Sequence, residues 1–201
     1  MELPDRFFHR LRQFVPSILN DCPSLRVVSF GFGKSFIEFP ADDSATASDG
    51  QAIGKWLFTP LQNNMPKMLK TSLSVGCDEN TASIIEAFKS AFANASSPAN
   101  FIVHVPISWR WLCSDTVFPL INELTREQLA LKRTKYDDSL LLVRCPIARD
   151  ESKWAKWEEE AIGCGIDSQW NRIDIQIYDE ANIGDGLLDA TLGPMIIGRS
   201  E

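Results

Sequence analysis

The sequence has few of the residues that build a metal site. Its 201 residues include only two histidines, His9 and His104, and five cysteines, at positions 22, 77, 113, 145 and 164. The cysteines are odd in number, widely spaced and without a Cys-x-x-Cys pair, so neither a zinc site nor a disulfide framework is indicated. We therefore predict reduced, mostly buried thiols, no metal and no cofactor.

Long apolar runs and an excess of basic residues are also absent. No stretch approaches the roughly 20 apolar residues of a membrane span, and the first residues are charged rather than apolar. The 20 Lys and Arg against 27 Asp and Glu give a net charge of -7, which repels a phosphate backbone. We expect a soluble, cytoplasmic protein that binds neither membranes nor nucleic acid.

What the chain does contain is an alternation of strand-like and helix-like segments. Phe101–Val105, Leu140–Cys145 and Ile173–Tyr178 are short apolar runs rich in β-branched residues, separated by segments of helical spacing. The second run suits a central strand, and the third, which alternates with polar residues, suits an edge strand. This predicts an α/β fold with a mainly parallel or mixed sheet flanked by helices. One domain over residues 1–201 is the simplest organisation, with residues 1–70 as an alternative N-terminal subdomain.

The N-terminal part is predicted to contain a helix and a β-hairpin. Apolar residues recur at helical spacing from Phe7 to Ile18. Val27–Phe39 holds two strand-like runs around a glycine-containing turn, which is typical of a hairpin. Residues 41–50 are small, polar and acidic, and they predict a mobile loop because no apolar side chain anchors them.

Three further helices are predicted along the chain. They cover about Asn80–Asn94, about Val117–Leu131 and the segment after Asp150. The last of these carries Trp154 and Trp157 one helical turn apart. Both tryptophans should therefore face the sheet and hold this helix on it.

Gly33-Lys34-Ser35 superficially resembles the end of a phosphate-binding loop. The Walker pattern requires another glycine five residues before Gly33, and Val28 occupies that position. Phe36–Phe39 is strand-like, so no helix N-terminus is expected to hold a phosphate. We predict that this segment binds no nucleotide.

His104 is the candidate base for nucleophilic catalysis. It could activate Cys113 or Ser108, with Asp115 as an orienting carboxylate. The segment lacks the glycines of a nucleophile elbow, and His104 lies inside an apolar strand run. A hydrogen-bonded core histidine is the simpler explanation, and a thiol hydrolase is one alternative function.

A second enzymatic alternative is a metal-dependent nuclease. Asp137 or Asp138 together with Glu151-Ser152-Lys153 has the spacing of carboxylates and an E-x-K triplet that hold a divalent ion. In such sites the triplet lies on a strand, whereas here it opens a predicted helix. Glu151 would more simply complement the positive end of the helix dipole.

A protein is the expected partner, because exposed tryptophan and arginine dominate protein interfaces. Trp109-Arg110-Trp111 directly follows a predicted strand, where loops carry binding residues. Arg6 and Arg10 lie on the basic face of the first helix. We predict these five residues as partner-binding residues and assign no catalytic residue.

Several short segments in the second half of the chain carry a family resemblance. They are Phe101–Pro106, Leu141–Arg144 with Arg149, Trp154–Trp157, Leu187-Leu188 and Gly193–Ile197. In these segments the chain resembles the C-terminal domain of the vWA-MoxR-associated proteins, bacterial conflict-system components encoded with von Willebrand A and MoxR-type ATPase partners. The Leu-Leu that the family favours after Pro106 is replaced by Trp109-Arg110-Trp111. The resemblance implies a regulatory or coupling domain without active-site residues, and so we expect a protein-binding module of a bacterial defence system.

Overall fold

A computed structural model describes residues 12, 17–32, 37–72, 79–105, 118–134, 139–163 and 171–175. These residues form, in chain order, α1 (Ile18–Asp21), β1 (Val27–Phe32), α2 (Asp49–Phe58), β2 (Lys67–Ser72), α3 (Glu79–Ala93), β3 (Phe101–Val105), β4 (Leu120–Asn122), β5 (Glu127–Arg133), β6 (Leu140–Pro146), α4 (Glu151–Ile162) and β7 (Arg172–Ile175). In this part of the chain no helix combines the length and apolar character that a membrane crossing needs.

One mixed sheet joins the seven strands in the order β4-β5-β6-β3-β2-β1-β7. The four strands β3, β2, β1 and β7 pair in parallel. The β4–β5, β5–β6 and β6–β3 pairs are antiparallel. The predicted α/β class with a mixed sheet is therefore confirmed. The predicted central position of β6 and, among the described strands, the predicted edge position of β7 are also confirmed.

Helices cover both faces of this sheet. On face A, α2 and α3 contribute Trp56 and Phe92 to a core that includes Phe101. On face B, α4 contributes Trp154 to a second core that includes Ile102. Phe101 and Ile102 are neighbours in β3 and lie in different cores, because successive side chains of a strand point to opposite faces. The structure is therefore a three-layer α/β/α arrangement.

Side-chain caps define where α2 and α4 begin. Ser48 accepts a hydrogen bond from the N–H of Gln51, whose side chain in turn accepts from the Ser48 N–H, which is a complete capping box. Asp150 accepts from the N–H groups of Ser152 and Lys153 at the start of α4. The helices predicted over 80–94 and after Asp150 are confirmed as α3 and α4.

The predicted hairpin over Val27–Phe39 is wrong. β1 pairs in parallel with β2 on one side and β7 on the other, and residues 37–40 are not in a strand. Val27 and Val28 are both 0% exposed although they point to opposite faces. Burial on both faces is typical of a central parallel strand, which a two-stranded hairpin could not provide. Residues 33–36 lie outside the described residues, and residues 37–48 contain no helix before α2.

The helix predicted over Val117–Leu131 is also wrong, because β4 and β5 form an antiparallel hairpin there. Leu129 points into the face A core, whereas Gln128 and Ala130 point to face B. Residues 127–133 include good helix formers, but pairing with β6 outweighs that propensity.

Residues 41–50 are anchored, contrary to the prediction of a mobile loop. Arg12 Nη1 donates to Ala47 O at 2.8 Å and to Asp49 Oδ1 at 3.0 Å, and Arg12 Nη2 donates to Ser44 O at 3.2 Å. The Arg12 side chain is buried in these contacts. The composition of residues 41–50 could not indicate this anchor, because Arg12 lies far from the segment in the sequence.

Candidate functional site

His104 belongs to a hydrogen-bonded chain of side chains that closes the β5–β6 connection. Its Nε2 lies 2.9 Å from Ser139 Oγ, which donates to Thr134 Oγ1 at 3.1 Å. This hydrogen bond joins the His104 ring to the β5–β6 connection. Cys113, Ser108 and Asp115 lie outside the described residues.

The residues of the nuclease alternative are bound to other groups. Glu151 accepts from Arg149 Nε at 2.8 Å and Nη2 at 2.7 Å, and this contact lowers the pKa of Glu151. Lys153 Nζ is an exposed amine 3.8 Å from Asp150 Oδ2. Glu151 lies at the start of α4, as predicted, and not on a strand. Asp137 and Asp138 lie outside the described residues. Within the described part, no group of three or more His, Cys, Asp or Glu could hold a metal ion.

Cys145 is a core thiol, in agreement with the sequence analysis. It is 0% exposed, and burial raises the pKa of its thiol even though Arg149 Nη1 lies 3.3 Å from its Sγ. A thiol with a raised pKa stays protonated and is a poor nucleophile. Cys22 is exposed and unpaired with another cysteine. The remaining cysteines lie outside the described residues.

Two further basic side chains are buried in the fold. Arg144 is 0% exposed and its Nε and Nη2 donate to Glu127 Oε2 at 3.0 and 2.6 Å. Its guanidinium carbon lies 5.2 and 5.3 Å from the ring centroids of Phe58 and Phe92. Lys67 is 4% exposed, and its Nζ donates to Trp56 O at 2.5 Å.

The buried amine of Lys67 predicts a pH dependence of stability. Burial lowers the pKa of Lys67 to about 8, from 10.5 in an exposed lysine. Between these values the unfolded chain binds more protons than the folded one, so stability from this group rises with pH. We expect the parent to gain up to about 3 kcal/mol relative to Lys67→Met as pH rises from 8 to 10.5. Urea unfolding of both proteins across this range measures the difference, and a pH-independent difference would contradict the prediction.

An exposed apolar surface lies at the free end of the β4–β5 hairpin. Ile121, Leu124 and Ile147 are 47%, 74% and 46% exposed, and together we call them the apolar corner. Leu124 lies in the turn between β4 and β5. The N–H of Ile147 donates to Arg126 O of the same turn at 3.0 Å, which places Ile147 beside it.

The apolar corner is open because the described helices cover other parts of the sheet. Ile121 pairs with Gln128, and Gln128 pairs with Cys145, so the side chain of Ile121 points to face B. On that face α4 packs chiefly on β2 and β3. The α3 helix contacts β4 from face A, where Asn122 donates to the carbonyls of Phe92 and Ala95.

The predicted partner-binding residues lie outside the part of the chain that the structure describes. They are Arg6, Arg10, Trp109, Arg110 and Trp111. Conversely, sequence reasoning missed the apolar corner, because a helix over Val117–Leu131 would have placed Leu124 on a different surface. The alternation of Leu129 and Leu131 with polar or small residues is the signal that could have indicated a strand here.

Comparisons with known protein families, with curated proteins and with solved structures find no match to this chain.

Proposed function

We propose that this chain is a non-enzymatic protein-binding module and that its partner docks on the apolar corner. The observation that carries the proposal is the exposure of Ile121, Leu124 and Ile147 in and beside the β4–β5 hairpin. Burial of apolar side chains at the centre of an interface favours association. Three exposed aliphatic side chains in one region can therefore form the central contact of an interface.

The surroundings of the apolar corner favour a protein as its occupant. Glu123 and Arg126 are exposed in the same turn, and Gln128 lies half-buried next to Ile121. Protein interfaces combine an apolar centre with a polar rim that remains accessible to solvent. Charges of both signs in the rim suit a protein surface better than an anionic lipid surface, which would select basic residues alone.

The buried arginines lend further support, because each is already paired with a carboxylate of this chain. Arg26 Nη1 and Nη2 donate to the two carboxylate oxygens of Glu160 at 2.6 and 2.8 Å. Arg144 is bound to Glu127, and Arg149 is bound to Glu151. These guanidinium groups act within the fold.

The narrower proposal is a cytoplasmic regulatory module in a bacterial defence system. It rests on the resemblance of the second half of the chain to the C-terminal domain of the vWA-MoxR-associated proteins. A partner with a von Willebrand A domain or a MoxR-type ATPase would support it. Trp109, Arg110 and Trp111, which the sequence predicts as partner-binding residues, would then add to the contact.

The test compares two variants that each place negative charge on an exposed surface. Ile121→Asp with Leu124→Asp changes the apolar corner, and Ser83→Asp changes the exposed side of α3. Proteins captured by the parent are identified by mass spectrometry, and the affinity of each purified partner is then measured by calorimetry. We expect the apolar-corner variant to bind at least about 30-fold more weakly, as loss of a central contact does, and Ser83→Asp to bind like the parent.

Equal binding of the parent and the apolar-corner variant would show that the docking surface lies elsewhere. A Mg²⁺-dependent nuclease activity that disappears in Lys153→Ala would replace the binding-module proposal with the enzymatic alternative. Thermal unfolding of each variant establishes that the fold is unchanged. Both substituted side chains are largely exposed, so little effect on stability is expected.

A further inference from the structure

The turn between β4 and β5 is fixed by the side chain of Asn122. Its Oδ1 accepts from the N–H groups of Leu124 and Thr125 at 3.0 and 3.2 Å, and its Nδ2 donates to Phe92 O and Ala95 O at 2.8 and 2.9 Å. The turn is therefore bound to the carboxyl end of α3 as well as to its own strands. A loop that is ordered before binding loses less conformational entropy in a complex. The exposed side chains of this turn are thus preorganised for binding.

Arg126 occupies a position of this turn that suits a glycine better. Its φ is 54°, in the left-handed region that residues with a Cβ rarely adopt. Its carbonyl accepts from the N–H of Ile147 at 3.0 Å, which holds this part of the backbone in place. A glycine would adopt the same conformation without steric cost. Backbone strain that a glycine would avoid points to a use of the arginine side chain.

The fold as described makes no use of the Arg126 side chain. It is exposed, and no hydrogen bond or ion pair among the described residues involves its guanidinium group. By contrast, Arg26 and Arg144 are buried and bind the carboxylates of Glu160 and Glu127. A guanidinium binds a carboxylate through two parallel N–H groups, which gives both charge and geometric selectivity. Arg126 is therefore available to a carboxylate of another molecule.

The charges around Arg126 limit the kind of molecule that can supply this carboxylate. Glu123 is exposed in the same turn, and the whole chain has a net charge of -7. Both repel a polyanion, such as a run of acidic residues or a phosphate-rich surface. Leu124 of the apolar corner lies in the same turn and favours an apolar group beside the carboxylate. A single acidic residue within an apolar segment fits these surroundings.

We propose that the partner docks on the apolar corner through a segment that combines apolar side chains with one Asp or Glu, and that this carboxylate pairs with Arg126. The apolar side chains contact Ile121 and Leu124, and the ion pair selects among apolar segments. Charge complementarity at an interface acts mainly on specificity in this way. The inference rests on the proposed docking at the apolar corner and adds the chemistry of the partner.

The probe is a phage-displayed library of random 12-residue peptides. Peptides are selected on the parent, and those that also bind the variant with Ile121→Asp and Leu124→Asp are removed. We expect the remaining sequences to combine apolar residues with one Asp or Glu. The same selection on Arg126→Glu should enrich Lys or Arg in place of the acidic residue, because the charge at the site is reversed.

Affinities of one synthetic peptide then measure the contribution of the ion pair. The peptide is compared with a copy in which the acidic residue is replaced by its amide. Arg126→Gly should bind the acidic peptide about tenfold more weakly than the parent does, and it should no longer distinguish the two peptides. Lys55→Glu, at an exposed position of α2, makes the same change in net charge as Arg126→Glu and should bind the acidic peptide like the parent.

The stability of Arg126→Gly tests the second part of the argument without any peptide. Glycine removes the left-handed strain, so the midpoint of urea unfolding should be as high as that of the parent or higher. A midpoint lower by more than about 0.5 M would mean that the arginine side chain supports the fold, and it would overturn the inference.

The selection separates a failure of this inference from a failure of the proposed function. If no peptide distinguishes the parent from the variant with Ile121→Asp and Leu124→Asp, docking on the apolar corner is wrong, and the inference that rests on it is wrong as well. If such peptides exist but lack an acidic residue, or are the same on the parent and on Arg126→Glu, only the role of Arg126 is wrong.

Discussion

Replacing Glu127 with glutamine is expected to destabilise the protein by about 3–5 kcal/mol. Glu127 is 1% exposed and carries the only carboxylate that the described residues place against the buried guanidinium of Arg144. Glutamine keeps the shape of the side chain and can still accept from the Ala99 N–H, as Glu127 Oε1 does at 2.9 Å. It removes the negative charge, and an uncompensated buried charge costs about this much. Urea unfolding measures the change in free energy.

A matched control and a double variant distinguish the loss of the Glu127 charge from a nonspecific loss of stability. Glu123→Gln makes the same substitution at an exposed position of the same hairpin and should change stability by less than about 0.5 kcal/mol. Glu127→Leu with Arg144→Met replaces the ion pair by apolar groups and should be more stable than Glu127→Gln alone. Should Glu127→Gln prove neutral, the rings of Phe58 and Phe92 would have to stabilise the Arg144 charge without a counterion.

Replacing Trp154 with alanine is expected to destabilise the protein by about 3–5 kcal/mol, the range for a large buried side chain. Trp154 is 4% exposed in the face B core. It also contacts two other groups of this region: its ring centroid lies 5.3 Å from that of Trp157 and 5.1 Å from the guanidinium carbon of Arg149. Chemical denaturation of the purified variant measures the loss.

The neighbouring tryptophan provides an internal comparison. Trp157 is half-buried and packs at the margin of the same core, so Trp157→Ala should cost less, about 1–3 kcal/mol. Lys156→Ala, at an exposed position of the same helix, should leave stability nearly unchanged. A larger effect at Trp157 than at Trp154 would mean that α4 packs on the sheet through a different face. Loss of partner binding in Trp157→Ala without loss of stability would make Trp157 an interface residue.

The parts of the fold that could be predicted from sequence are those in which local pattern and tertiary environment agree. β3 and β6 are apolar runs that end near prolines, and α4 begins at the Asp150 cap and presents its tryptophans to the sheet. For β3, β6 and α4, the secondary structure that the local sequence favours is also the one that buries their apolar side chains.

The wrong predictions concern segments whose structure depends on distant pairing. The local pattern of β1 indicates pairing within a hairpin, but its partners begin at Lys67 and Arg172. The β5 sequence favours a helix locally and becomes a strand because β6 lies beside it. The apolar corner depends on this same pairing, so a site there could not be predicted before the hairpin was known.

The position of β1 has a consequence for synthesis of the chain on the ribosome. Val27 and its partner Arg172 lie near opposite ends of the described sequence, and so do Arg26 and Glu160, which are 134 residues apart. At the usual translation rates, Glu160 and Arg172 are synthesised on the order of 10 s after β1. During that time one edge of an apolar strand has no partner, which invites pairing with another chain. The nascent protein should therefore depend on chaperones more than its modest size suggests, and slowing translation should lower the soluble yield.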